Sequence, residues 1–232
     1  RAGSIVGSMM SAGEQRWAWA DVDLGAVRHN VEHLRSIVAP SALWAVVKAN
    51  GYGHGAPEVA LAALEGGADG LCVALVHEGI ELRAAGVTAP ILVLSEQPST
   101  TADDLVRHRL TATVYSIVAV DVLADAAARL GETGVAVHVK IDTGMQRVGA
   151  RPDAVVDVVG RVGERDPQLR VGGVFTHLAM ADEPADEFNS TQLQRLDGVL
   201  DDLRSRGLLR ADVLVHAANS AGALTNPAAR RD

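Results

Sequence analysis

From Asp23 the apolar residues Leu24, Val27, Val31, Leu34 and Ile37/Val38 recur at helical spacing until Pro40, which predicts one helix ahead of the first strand. Beyond it, runs rich in Val, Ile and Leu predict strands at Trp44–Lys48, Leu71–Leu75, Pro90–Leu94, Thr111–Tyr115, Val135–Ile141, Gly172–Thr176 and Asp212–His216. Segments with helix-like spacing separate them, at Pro57–Glu65, His77–Ala85, Ala102–Arg107, Ile117–Leu130, Pro152–Val162 and Phe188–Arg206. Strand followed by helix, repeated at intervals of about 25–40 residues, is the pattern of parallel α/β structure, either a closed barrel or an open doubly wound sheet.

Polar positions help to choose between the two. Lys48, Lys140 with Asp142, His177, and His216 with Asn219 fall at or just beyond the carboxyl ends of four predicted strands. A barrel makes such ends converge on one rim. The expected fold is therefore an α/β, TIM-like (β/α)8 barrel that is incomplete, with seven strands. Eight strands typically take about 250 residues, and this 232-residue chain stops on Ala-Arg-Arg-Asp where an eighth strand should follow Ser220–Ala223.

Composition narrows the partners. A hydrophobic share of 48% suffices for a packed core. Apolar stretches such as Val213–Ala218 and Ile91–Leu94 fall far short of the roughly 20 residues that span a bilayer, so no membrane segment is expected. With 21 basic residues scattered among 29 acidic ones, the net charge of −8 argues against a nucleic-acid partner and for a small molecule. Cys72 is the single cysteine, which excludes an intrachain disulfide and a cysteine-based zinc site. The eight histidines are dispersed without a HExxH or paired acidic motif, so no metal site is expected. Residues 1–16, RAGSIVGSMMSAGEQR, lack periodicity and are too briefly apolar for a signal peptide, and they read as a disordered leader in which Met9 or Met10 is a candidate start. A cytoplasmic location is the corresponding expectation.

Four segments carry chemistry. In WAVVKANGYGHG a β-branched run ends on Lys48, and Gly51, Gly53 and Gly55 let the backbone approach whatever that lysine holds. A lysine snorkelling to water is the plain alternative, but a partly desolvated amine suits covalent chemistry with a carbonyl. In KIDTGMQRVG, Lys140 and Arg147 would repel each other unless an anion lay between them, and Arg147 has the fork geometry to clamp a carboxylate. The ordinary alternative there is a surface loop with an Asp142–Arg147 ion pair. In THLAMAD, His177 stands at a strand end, where a structural histidine is the commoner case. In HAANS, Asn219 and Ser220 open a helix, so Ser220 is either a phosphate ligand or a plain helix cap.

VVKANGYGHG, KIDTGMQRVG, THLAMAD and HAANS, in this order and at these intervals, resemble the amino-terminal domain of bacterial alanine racemases, which are fold-type III pyridoxal-phosphate enzymes. The likeness runs from about Trp17 to Asp232 and makes 17–232 a pyridoxal-phosphate-binding barrel domain. It departs mildly at Gln146, where many relatives have glycine. The resemblance implies that Lys48 bonds to pyridoxal 5′-phosphate as a Schiff base and acts as a proton-transfer base on one face of the substrate. It implies that Tyr52 and Ser220, with Asn219 beside them, bind the phosphate, and that His177 packs by the pyridine ring. Arg147 would lie near the cofactor's phenolic oxygen and the substrate carboxylate, His216 would support the site, and Lys140 corresponds to a lysine carbamylated in some relatives.

The implied activity is interconversion of L-alanine and D-alanine, an isomerase step supplying D-alanine for peptidoglycan, in a full-length homodimer. Inversion needs a second base across the substrate plane. In the family that base is a tyrosine from the carboxyl-terminal β domain of the partner subunit, whereas this chain offers only Tyr52 and Tyr115. The family's arginine facing the pyridine nitrogen, on the eighth strand, is expected just beyond Asp232. Full activity is therefore not expected of these residues alone. A non-catalytic single-domain pyridoxal-phosphate-binding protein on the same barrel is the alternative reading, and serine or a broader range of amino acids stays open beside alanine.

Overall fold

The computed structural model describes residues 20–232, so the leader predicted at residues 1–16 lies outside the described residues. Helix α1 (Leu24–Val38) is capped by the Asp23 carboxylate, which accepts from the Gly25 and Ala26 amides at 2.8 and 3.1 Å. Units of strand and helix follow: β1 (Trp44–Val46), a single turn α2 (Lys48–Tyr52) and α3 (Ala56–Glu65); β2 (Gly70–Val73) and α4 (Val76–Ala84); β3 (Ile91–Val93) and α5 (Ala102–Arg107). Next come β4 (Thr111–Val114) and α6 (Ile117–Leu130), β5 (Val135–Lys140) and α7 (Val155–Glu164), β6 (Leu169–Phe175) and α8 (Glu187–Ser205), and β7 (Leu214–His216) with α9 (Ser220–Thr225).

The seven strands are parallel and pair in chain order, β1-β2-β3-β4-β5-β6-β7. A doubly wound sheet reverses direction at a switch point, and this order contains none, so the barrel expectation holds. Its curvature shows across the interior, where Trp44 of β1 lies 6.1 Å from His138 of β5, centroid to centroid. The last residues lie between β7 and the segment that enters β1. Asp232 exchanges hydrogen bonds with Val215, the Ser41 hydroxyl donates to the Arg231 carbonyl at 2.9 Å, and Arg230 reaches the Ile37 carbonyl at 3.1 Å.

Strand register separates two packed layers. Leu71 and Val73, Ile91 and Val93, Ala112 and Val114, and Val137 and Val139 pack outward on helical residues such as Leu82, Val120, Leu123, Val159 and Leu196, all buried. The alternate positions point inward: Trp44, Cys72, Leu92, Thr113, His138, Lys140, Phe175 and His216. Burial pushes the Cys72 thiol up to about 12, which makes it an inert filler of that interior. Two inward glycines make room for rings. A methyl at Gly70 would stand 2.8 Å from the Trp44 indole, and one at Gly173 would stand 2.7 Å from the His138 imidazole.

One expectation needs correction. The strand predicted over Trp44–Lys48 stops at Val46, two residues before the lysine, because Val47 leaves extended geometry with φ −120° and ψ 20°. The earlier end also leaves Val46 40% exposed at the open side of the sheet, where β1 and β7 do not pair with each other.

Gly173→Ala is expected to cost about 1–3 kcal/mol in denaturant unfolding, since the stiff His138 ring cannot yield to the new methyl group. His138→Ala in the same chain should recover part of that loss. An unchanged unfolding midpoint for Gly173→Ala would mean that this close approach does not shape the interior.

Candidate functional site

Lys48 opens a turn of the unusual hand. Ala49, Asn50 and Gly51 have φ values of 51°, 54° and 61°, followed by Tyr52 at 55°. Left-handed L-residues cost about 1–2 kcal/mol each, so the neighbours must hold the turn. Oε1 of the buried Glu78 accepts from the Ala49 amide at 2.6 Å, and the Asn50 side chain accepts from the Ala56 amide at 2.9 Å. The Gly53 amide closes on the Ala49 carbonyl at 3.0 Å. The turn brings Lys48 and Tyr52 together, with Nζ 5.9 Å from the centre of the ring.

The loop after β5 folds back on its own strand. Ala150 donates to the Lys140 carbonyl and Asp142 to the Ala150 carbonyl, both at 2.8 Å. Asp142 spends Oδ1 on the Gly144 and Gln146 amides at 2.9 and 3.0 Å, and among the described residues it forms no ion pair with Arg147. The ordinary surface-loop alternative thereby loses its bond. Gln146 has φ 56°, a conformation that favours glycine.

A buried network fastens this loop to the one after β6. The Thr143 and Thr176 hydroxyls meet at 2.8 Å, and Thr176 donates to the Ile141 carbonyl at 2.9 Å. Gln192 of α8, with no exposed surface, donates to the Thr143 hydroxyl and the His177 carbonyl, each at 3.1 Å, and accepts from the Ala179 amide at 2.8 Å. Every hydrogen-bonding direction used here is satisfied, which rigidifies the pair of loops. Lys140, Asp142, Met145, Arg147, Thr176 and His177 then line one small cleft.

Charge in this cleft is unbalanced. Lys140 is 5% exposed, and its amine is pushed down to about 8, first by burial, then by Arg147 and, more weakly, Lys48, with Asp142 acting in the opposite direction. His177 is pushed down to about 4 by burial and then by Arg147, Lys140 and Lys48. Arg147, Lys140 and Lys48 thus all act on one neutral imidazole, and Asp142 offsets the positive charge at Lys140. Such a site has the electrostatics of an anion receptor.

The remaining predicted residues stand apart from the cleft. His216 is turned into the barrel, where its Nε2 meets Nδ1 of His138 at 3.0 Å and its ring stacks on Phe175 at 4.4 Å. Burial first, then His138 and Lys140, depress His216 to about 3; burial and Arg170 depress His138 to about 4. Both rings are neutral, and His216 supports the floor beneath the site. Asn219 caps α9 by accepting from the Gly222 amide at 2.9 Å, which leaves Ser220 as the exposed first residue of that helix. No hydrogen bond joins Ser220 to Tyr52 among the described residues. Glu78, Asn50, Thr143 and Gln192 escaped the sequence reading. One signal was available for Gln192, a glutamine sharing a helix face with Leu196, Leu200 and Leu203.

The family model for the alanine racemase N-terminal domain matches residues 22–232. The chain is 45% identical over 217 residues to the alanine racemase of Symbiobacterium thermophilum, covering 94% of this chain and 56% of that protein. To alanine racemase 1 of Bacillus subtilis it is 39% identical over 210 residues, with 90% and 52% covered. Among solved structures, the alanine racemase from Streptomyces coelicolor superposes with a TM-score of 0.85 at 36% identity, covering 90% of this chain and 56% of that one. The alanine racemase from Clostridium difficile, in complex with cycloserine, gives 0.80 at 35% identity over 90% and 56% of the two chains. The chain thus spans little more than half the length of the relatives it matches.

The three depressed histidines predict how stability depends on pH. In the unfolded chain a histidine takes up its proton near pH 6.5, whereas the folded His138, His177 and His216 stay neutral down to about 4, 4 and 3. Stability is therefore complete above pH 6.5 and declines as the pH falls towards 4, because only the unfolded state binds these protons. The urea midpoint should drop between pH 7 and pH 5, and His177→Asn should make that drop shallower. An identical slope in the variant would show that His177 is not held neutral.

Proposed function

Because the chain belongs to the alanine racemase N-terminal domain family, we propose that it forms the cofactor-binding barrel of a pyridoxal 5′-phosphate enzyme that interconverts L-alanine and D-alanine. The observation that supports this reading is that Lys140, Arg147 and His177 line one cleft, with Lys48 near enough to act on both Lys140 and His177. The donor set fits the cofactor, which is anionic, flat and aldehyde-bearing. An amine stands on a rigid turn, cations lack counter-charge, and an uncharged imidazole can lie against a ring. When bound, pyridoxal phosphate supplies an aldehyde that takes up amines and a ring that draws electrons from the substrate Cα.

Each residue then has a task. Lys48 would hold the cofactor, and its Nζ would take or return the Cα proton on one face. Arg147 would hold the substrate carboxylate and lend positive charge to the cofactor. His177 presents a ring instead of a fourth charge, and the Tyr52 and Ser220 hydroxyls, with the α9 amides that Asn219 leaves free, hold the phosphate. Lys140, brought to about 8, has an appreciable free-base fraction at neutral pH. Its nitrogen can add carbon dioxide with loss of one proton, and the resulting carbamate anion would offset Arg147. By resemblance to the family, the base on the opposite face would be a tyrosine of a partner subunit in a homodimer.

In the full-length protein, borohydride should trap pyridoxal phosphate on the Lys48 peptide by mass spectrometry, and Lys48→Ala should abolish both the adduct and alanine racemisation. Rates with alanine, serine and lysine then define the substrate range. Trapping without racemisation of any of them would favour a non-catalytic cofactor-binding protein, and no trapping would reject the cofactor assignment. After incubation with 13C-bicarbonate, a carbamate resonance should appear and vanish in Lys140→Ala. Its absence from the parent protein would leave Lys140 an amine.

A further inference from the structure

Glu78 is a buried carboxylate for which the proposed chemistry has no use, and no ion pair reaches it among the described residues. Its partners are three backbone amides: Ala74 and Leu75 on Oε2, at 2.8 and 3.0 Å, and Ala49 on Oε1, at 2.6 Å. The first two belong to its own unit, where the carboxylate starts helix α4 in the usual manner. The third lies 29 residues away, across the boundary between two barrel units. It belongs to the residue directly after Lys48, the first of the left-handed positions.

We propose that Glu78 is a positioning residue for Lys48. Through the Ala49 amide it holds the left-handed turn that aims the Lys48 amine over Tyr52 and toward the cleft of Lys140 and His177. The proposal rests on Lys48 being the cofactor-bonding amine. A carboxylate is required because three N–H groups converge on two oxygens, and both oxygens must accept. Glutamine would turn its NH2 group against at least one of those donors. Aspartate, one methylene shorter, can serve its own helix or Ala49 but cannot span both.

The test uses the full-length protein with pyridoxal phosphate and compares Glu78→Gln and Glu78→Asp with Leu203→Ala, a buried α8 position chosen as a stability control. Two signals are read: the rate of borohydride-trapped adduct on Lys48 at limiting cofactor, and amide exchange over residues 47–53. Both Glu78 variants should slow trapping at least about tenfold, the scale of penalty for a misplaced reacting group, and should speed exchange in that segment. Leu203→Ala, at a comparable loss of Tm, should leave both signals near the parent values. Normal trapping despite faster exchange overturns the proposal, as does an equal loss of trapping in Leu203→Ala. Glu78→Asp decides the matter if Glu78→Gln does not fold. If the parent protein traps no cofactor, the cofactor reading fails on its own, and unchanged exchange in the Glu78 variants then also removes the hold on the turn.

Discussion

A parallel barrel leaves the loops beyond its strands with backbone N–H groups that no strand ladder can pair, and each must find an acceptor or lose free energy to desolvation. Here side chains supply the acceptors. Glu78 takes the amides of Ala49, Ala74 and Leu75, Glu96 those of Tyr115 and Ser116, Asp142 those of Gly144 and Gln146, and Asn50 that of Ala56. Gln192 does the same for Ala179 while donating to both neighbouring loops. Several of these bonds cross from one strand-helix unit to another, so the rim is cross-braced. The reactive groups are carried on that brace, and their spacing follows from which loops it joins.

Electrostatics on the rim work against the charged forms of the cluster. Burial already disfavours the charged form of Lys140, and Arg147 and Lys48 disfavour it further. His177 meets the same field and stays neutral. One arrangement thus keeps an amine partly unprotonated and an imidazole uncharged, with positive charge left in excess. These properties share one cause, low hydration combined with excess positive charge.

Below the rim, the interior is built from rings and the glycines that admit them. Trp44 occupies the space left by Gly70, and His138 the space left by Gly173. Phe175, stacked on His216, also lies 5.0 Å from the Lys140 amine, so the floor and the cleft share a wall. The bulge in β6 near Gly172 and Gly173 shifts the register so that Gly173 pairs with His138 and Phe175 with Lys140. The cleft residue Lys140 therefore depends on packing set several residues earlier along two strands.

Hydrophobic periodicity sufficed to place all seven strands and the main helices, because parallel strands buried on both faces read as short apolar runs and their covering helices as longer amphipathic ones. The placement of Lys48, Lys140, Arg147 and His177 at or beyond strand ends was legible too, since the apolar runs before them mark where those strands stop. The left-handed course after Lys48 was not legible, although Gly51 and Gly53 hinted at it, because Ala49 and Asn50 adopt it against their own preference. Nor did the sequence reveal that Glu78 reaches Ala49, that Gln192 joins Thr143 to His177, or that His216 faces His138 inside the barrel. Side-chain pattern is a local property and carries the strands and helices, whereas a backbone amide acquires its partner only when distant loops meet. The sequence alone determined which residues could do chemistry, and the tertiary structure decided where each of them is held.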